Sequence, residues 1–299
     1  MRTRSFLALA LVASAILAPF AVPARHATPS TAPALFDRVA VLGASVTDGF
    51  LLPNETNAMI TFADVVRAGT TVPMNAPLRR SSSLFFREPR AFGTAYVDAA
   101  LAARPTLVIG VDFLFWFGYG AVLPESARLE LLEDGLRLLE GFECPVIVGD
   151  FPDMHPALKG KGVIGGPMIF PFQVPNLETL DRLNARLRDW AKGRKNVTIV
   201  PLAQFLERLR ANEAFDVRGA KYESGAIHRL LDDDLLHTKL DGTIALGLIV
   251  QDAIAKALPD LPEDTFVWDP AEIRRRVLDA RKDEIEARLK TAARRAAAR

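Results

Sequence analysis

A three-layer α/β/α sandwich on a five-stranded parallel sheet is the fold this sequence predicts. Two observations predict it. Apolar runs of four or five residues alternate with longer segments of helical periodicity, and strands that are apolar throughout are strands covered on both faces, as in βαβ units. Three of the runs close at a glycine, Gly43, Gly110 or Gly149, at the carboxyl edge where such sheets bind ligands. The chain has 299 residues, 49% of them hydrophobic. That suffices for a real core and excludes global disorder.

The elements follow in order. Arg38–Leu42 (RVAVL) reads as the first strand, followed by a polar loop and a helix over 58–66. Thr70–Met74 reads as the second strand. The stretch 89–103 reads as a helix that stops at Arg104-Pro105. Thr106–Ile109 (TLVI) is the third strand and Pro145–Val148 (PVIV) the fourth, with a helix from Pro124 to about Leu139 between them. Asn176–Ala191 is amphipathic, with Leu177, Leu180, Leu183 and Leu187 at helical spacing. Asn196–Val200 (NVTIV) is the fifth strand. A short helix near 202–210, an otherwise polar loop and a last core helix over 241–258 complete the domain. No internal repeat is present. Strands in this order suit a flavodoxin-like sheet.

The two ends differ from the rest. Arg2 and Arg4 precede an apolar run from Phe6 to Val22, which is short for a membrane span and ends in small residues. This is the pattern of a signal peptide over 1–24, with an uncleaved anchor as the alternative. A linker over 25–35 follows, then the α/β domain over 36–260. The segment 261–299 is expected to form a basic C-terminal helix. From Pro270 onward it holds ten Lys/Arg against five Asp/Glu, and it reads as a long solvated helix that packs loosely on the domain or touches an anionic envelope surface. The location expected is periplasmic or secreted.

Composition excludes several functions. Net charge is +1, so a strongly basic nucleic-acid surface is not expected. The single cysteine, Cys144, permits no internal disulfide and no cysteine-based metal cluster. The glycine pairs lack the Lys-Ser/Thr or dinucleotide context of a phosphate loop. Asp153 and His155 are too few for a metal site and read as surface groups.

The residues that suggest chemistry lie at opposite ends of the domain. Gly43-Ala44-Ser45-Val46-Thr47-Asp48-Gly49 follows the first strand, so Ser45 stands at the ligand edge. A serine is a poor nucleophile unless a base lies within hydrogen-bond reach. The chain has four histidines, His26, His155, His228 and His237. His237 is distinctive because Asp234 precedes it by three residues. An acid so placed can fold back, accept from Nδ1–H and leave Nε2 as the base. Asp232 and Asp233 also precede it, and spacing favours Asp234. The connection from Pro201 to His237 is long enough to return across the strand ends.

These blocks resemble the SGNH/GDSL hydrolase superfamily. Its nucleophile block reads roughly Gly-Asp-Ser-Leu-Thr/Ser, here Gly43-Ala44-Ser45-Val46-Thr47, and its closing block reads Asp-x-x-His, here Asp234 to His237. The resemblance spans about 38–258. It implies ester hydrolysis through an acyl-enzyme, with Ser45 as nucleophile, His237 as base, Asp234 as its orienter, and no metal or cofactor. It also implies an oxyanion hole made of the serine N–H, a glycine N–H after strand two and an asparagine after strand three. Here the last two depart from the pattern. With strand two at 70–74, Pro77 falls at the glycine's place and has no N–H. Gly110-Val111-Asp112-Phe113 puts Asp112 where the asparagine belongs. Three readings stay open: Asp112 held protonated by its apolar surroundings, so that it donates; charge supplied by Arg79, Arg80 or the serines 81–83; or a site that binds without turnover.

The function expected is therefore an exported SGNH/GDSL-type esterase acting on a small-molecule, glycan or lipid ester. The alternatives are a non-catalytic envelope binding or scaffolding protein, and an acyltransferase or deacetylase acting on an envelope glycan. The aromatic run 113–119 is expected either to line a pocket or to pack in the core. The Gly/Pro-rich stretch 160–175 is expected to be either a lid or a packed connection.

Overall fold

The computed structural model describes residues 32–122, 124–163 and 165–297. The expected signal peptide over 1–24, and the linker up to residue 31, lie outside the described residues.

After a single turn, α1 (Ala32–Leu35), the chain enters β1 (Val39–Gly43), which is buried at every position. β3 (Leu107–Gly110) and β4 (Val146–Gly149) are equally buried, and β5 (Val197–Val200) closes one edge. With β2 (Leu78–Ser81) at the other edge, the order is β2-β1-β3-β4-β5, all parallel. This is the flavodoxin-like order 2-1-3-4-5, so the architecture is the three-layer α/β/α sandwich the sequence predicts.

Period-2 alternation sends Ala40, Leu42 and Val108 to one face and Val39, Val41 and Leu107 to the other. The first face is covered by α5 (Pro89–Ala102), α7 (Ala127–Leu139) and α8 (Leu177–Lys192). The second is covered by α4 (Phe62–Ala68) and α11 (Leu240–Ala257). Local chemistry sets several starts. Asn176 caps α8 by accepting the Thr179 N–H, and Pro89 opens α5 where no N–H partner is needed. Asp64 accepts from the Thr61 N–H and hydroxyl at the start of α4.

Strand two is not where its apolar run predicts. Thr70 forms only an isolated antiparallel bridge to Phe266, and Met74 is a core side chain in irregular chain. The real β2, Leu78-Arg79-Arg80-Ser81, is an edge strand, half-buried or exposed throughout, so it carries no apolar signature. The helix expected over 58–66 likewise starts later, at Phe62 as α4, and a separate short helix, α3 (Leu52–Thr56), precedes it. The short turns α2 (Ser45–Asp48) and α6 (Phe115–Gly118) follow β1 and β3. After α9 (Leu202–Arg210), the expected polar loop contains a hairpin of β6 (Phe215–Val217) and β7 (Ala220–Tyr222), then the short α10 (Ile227–Leu230). Its two-residue turn, Arg218-Gly219, is left-handed at both positions, which matches strand twist.

The basic tail is not one solvated helix. It breaks into α12 (Pro270–Asp279) and α13 (Lys282–Ala297). Ile273 and Val277, four residues apart on one face of α12, are buried in a third core cluster with Leu52, Ile60 and Leu248. Its arginines find carboxylates on the domain: Arg274 pairs with Asp241 and Arg281 with Asp64. None of the helices among the described residues is long and apolar enough to cross a membrane.

Because α12 completes the core, Ile273→Ala is expected to cost about 2–5 kcal/mol of stability. Thermal unfolding checks this, and a solvated tail would leave the transition unmoved.

Candidate active site

The turn that carries Ser45 forms where β1 ends. Ser45 begins α2 and is half-buried. Beneath it lies Asp112, from the segment after β3. One carboxylate oxygen accepts the Ala44 N–H at 3.0 Å, and the other accepts those of Val46 and Thr47 at 2.9 and 3.2 Å. The Thr47 hydroxyl adds a fourth bond at 2.5 Å. Ser45 N–H is the one amide in 44–47 that Asp112 does not take. Gly43 is required by this packing: a Cβ there would stand 2.0 Å from Asp112 Oδ1 and 2.2 Å from Thr47 Oγ1. Burial pushes the Asp112 pKa up, against the four hydrogen bonds that favour its charged form.

Asp112 therefore does not take the donor role in which the sequence comparison placed the family's asparagine. Both of its oxygens are engaged as acceptors under the turn. Pro77 precedes β2 instead of following it, and Ser81 pairs in register with Gly43. Ser82, one residue beyond β2 at the carboxyl edge, carries an N–H where a proline would not.

Arg79 and Arg80 sit on the edge strand. Arg79 Nη1 donates to Asp48 Oδ1 at 2.7 Å and to the Ser81 hydroxyl at 2.9 Å, and Ser81 Oγ and Ser83 N–H also donate to Asp48. This exposed network holds the end of α2 against β2. Arg80 is exposed, and its guanidinium turns back to the Arg79 carbonyl. Neither arginine lines the cavity at Ser45.

The closing block is built as its spacing predicts. Asp234 is fully buried and His237 nearly so, with Nδ1 2.6 Å from Asp234 Oδ2. The other Asp234 oxygen accepts the Leu236 and His237 N–H groups, both at 2.9 Å. Leu235 makes this turn possible by adopting φ +55°, a left-handed conformation uncommon for leucine. Gly160, from the connection after β4, packs so closely on this turn that a Cβ would lie 2.1 Å from the Asp234 carbonyl oxygen, and Lys161 N–H donates to the Asp233 carbonyl. Asp232 and Asp233 do not reach the imidazole; Asp232 N–H instead donates to the His237 carbonyl. Burial alone would raise the Asp234 pKa. The hydrogen bond from His237, the imidazole's charge and the two N–H groups outweigh it and hold the carboxyl below its ordinary range.

The two blocks meet at Phe50. Its N–H donates to the Ser45 carbonyl, and its ring lies 5.0 Å from the His237 ring. Ser45, Leu236 and Thr238 line one cavity of about 80 Å³. No hydrogen bond joins Ser45 Oγ to the imidazole among the described residues.

Phe50 and the Gly160 contact were not identified from sequence. Both depend on approaches between distant segments, and a lone glycine in a Gly/Pro-rich stretch gave no distinguishing signal. The aromatic run divides between its two readings: Phe115 and Trp116 line the cavity, whereas Phe113 and Phe117 are core. None of the described residues of 160–175 lines the cavity. The stretch is tied down instead by buried Arg128, which donates to the Phe172 and Gln173 carbonyls. His155 bonds Asp153 at 2.6 Å on the surface, and no group of three metal-ligating side chains converges among the described residues. Burial pushes the Cys144 thiol up to about 11, so it is not a reactive thiolate.

No family model and no curated protein matches the chain. Among solved structures, a Bacteroides fragilis protein provisionally named an acylhydrolase is similar at 17% identity and a TM-score of 0.45, over 74% of this chain and 88% of that one. A gut microbial diltiazem-metabolizing enzyme is similar at 12% identity and a TM-score of 0.44, over 75% of this chain. This chain spans 47% of that enzyme's length.

Two outcomes are expected. Asp112→Asn turns an NH2 toward backbone N–H groups and leaves at least one bond unmade, lowering stability by about 1–3 kcal/mol in denaturant titration. The depressed Asp234 pKa means that its contribution to stability is complete above the unfolded value near 3.9 and is lost as pH falls through the lower folded value. Asp234→Asn is expected to flatten that acid limb in unfolding measured from pH 2 to 5.

Proposed function

We propose that this protein is an exported serine hydrolase of the SGNH/GDSL type that cleaves carboxylic esters. The observation that carries the reading is the buried His237–Asp234 pair, its ring packed on Phe50 of the nucleophile turn and its neighbours lining the same cavity as Ser45. Asp234 accepts from Nδ1–H and so fixes the tautomer that leaves Nε2 basic.

The reaction runs in two halves. Ser45 Oγ attacks the ester carbonyl carbon while its proton passes to His237 Nε2. The tetrahedral intermediate collapses, the bond to the alcohol oxygen breaks, and the proton on Nε2 goes to that oxygen. Water then attacks the acyl-enzyme, giving a proton to Nε2. Ser45 leaves with that proton, and a carboxylic acid is released. The Ser45 N–H, which Asp112 leaves open, is the donor for the oxyanion. One such donor is typically worth about 3 kcal/mol of barrier, so the absence of the family's asparagine predicts modest turnover. Asp112, a carboxyl close beneath that position, favours a second reading, in which the site binds a ligand without turnover. Export to the periplasm or medium rests on the basic and apolar N-terminus.

The test is labelling of the purified protein by a fluorophosphonate, read by intact mass. One adduct is expected, absent in Ser45→Ala and in His237→Ala. A folded wild-type protein that takes no adduct overturns the hydrolase reading in favour of the second.

A further inference from the structure

The surroundings of Ser45 differ on its two sides. Toward β2 they are polar and exposed, where Arg79, Ser81 and Ser83 gather on Asp48. Toward β3, β4 and β5 lies the cavity. Its walls come from five separate segments: Val111 beyond β3, Met154 beyond β4, Phe205 and Leu206 on α9, Leu236 beside His237, and Leu246 on α11. Apart from Ser45 the polar groups lining it are Asp112, whose oxygens are committed to the turn, Thr238, whose hydroxyl is paired with Thr243, and the indole N–H of Trp116. The lining is otherwise apolar.

Resting on the hydrolase reading, we propose that this cavity is the acyl pocket and that it selects short aliphatic acyl groups of about four carbons. The acyl group is the half that stays on Ser45 between the two chemical steps, while the alcohol must leave to water. The apolar recess therefore suits the acyl chain, and the polar β2 edge suits the departing alcohol. Size sets the length. A cavity of about 150 Å³ holds the six carbons of benzene, so one of about 80 Å³ holds roughly three chain carbons beyond the carbonyl. Each methylene buried contributes about 0.8 kcal/mol, close to fourfold per carbon, until the pocket is full.

The experiment measures kcat/KM for 4-nitrophenyl esters of straight-chain acids of two, four, six, eight and twelve carbons. A maximum near four carbons is expected, with the acetate and the dodecanoate each about tenfold lower or more. Leu206→Phe, which fills the half-buried α9 wall, is expected to move the maximum to shorter chains, and Leu206→Ala to longer ones; Tm identifies a variant that has lost its fold. A parallel measurement needs no turnover: 1-butanol is expected to raise the Tm of the Ser45→Ala protein, and 1-decanol at equal concentration is not. If Ser45 takes the fluorophosphonate but the chain-length profile is flat, or peaks at two or twelve carbons, the pocket assignment is overturned and the hydrolase reading stands. Stabilisation by butanol without labelling or turnover overturns the hydrolase reading and the acyl assignment with it.

Discussion

The carboxylate of Asp112 holds the site together. An acid buried in the centre of an α/β domain is costly unless its lone pairs are met. Here three backbone amides and one hydroxyl meet them. The arrangement constrains everything around it. Gly43 has to lack a side chain, Thr47 has to carry a hydroxyl, and the end of β3 has to lie beside the end of β1. It also selects which amide remains for a substrate, because the acceptors take Ala44, Val46 and Thr47 and leave Ser45. An asparagine here would have divided its capacity between accepting and donating. The aspartate commits entirely to accepting, which strengthens the turn and leaves no side-chain donor at that position.

Much of the fold was legible because burial on both faces leaves a direct trace in sequence. VAVLG, LVIG and VIVG are strands that only helices on both sides can cover, and their order fixes the topology. Edge strand β2 left no such trace. Leu78-Arg79-Arg80-Ser81 is chosen for what it presents to solvent and to Asp48, so a more apolar stretch at 70–74 competed for the assignment and the site of Pro77 was misplaced with it. The tail was misread for a related reason. Two apolar residues on one face, Ile273 and Val277, are enough to bury a short helix but are obscured by the charges around them.

The same division runs through the candidate site. Asp234 and His237 interact across three residues, so spacing alone reveals the pair, and Ser45 follows from its place beyond a strand. Contacts that depend on tertiary approach were invisible: Phe50 against the imidazole, Gly160 against Asp234, and a cavity whose wall draws on segments from residue 111 to residue 246. Arg79 and Arg80 looked like anion-binding groups because they are cationic and close in sequence to the strand end. The carboxylate that claims Arg79 lies 31 residues away.

The docking of α12 bears on how the chain is made. The helix α4 shares its core with a segment synthesised much later. Vectorial synthesis therefore leaves the apolar faces of α4 and α11 uncovered until Ile273 and Val277 emerge. A product truncated before α12 would present that same uncovered face to quality-control proteases.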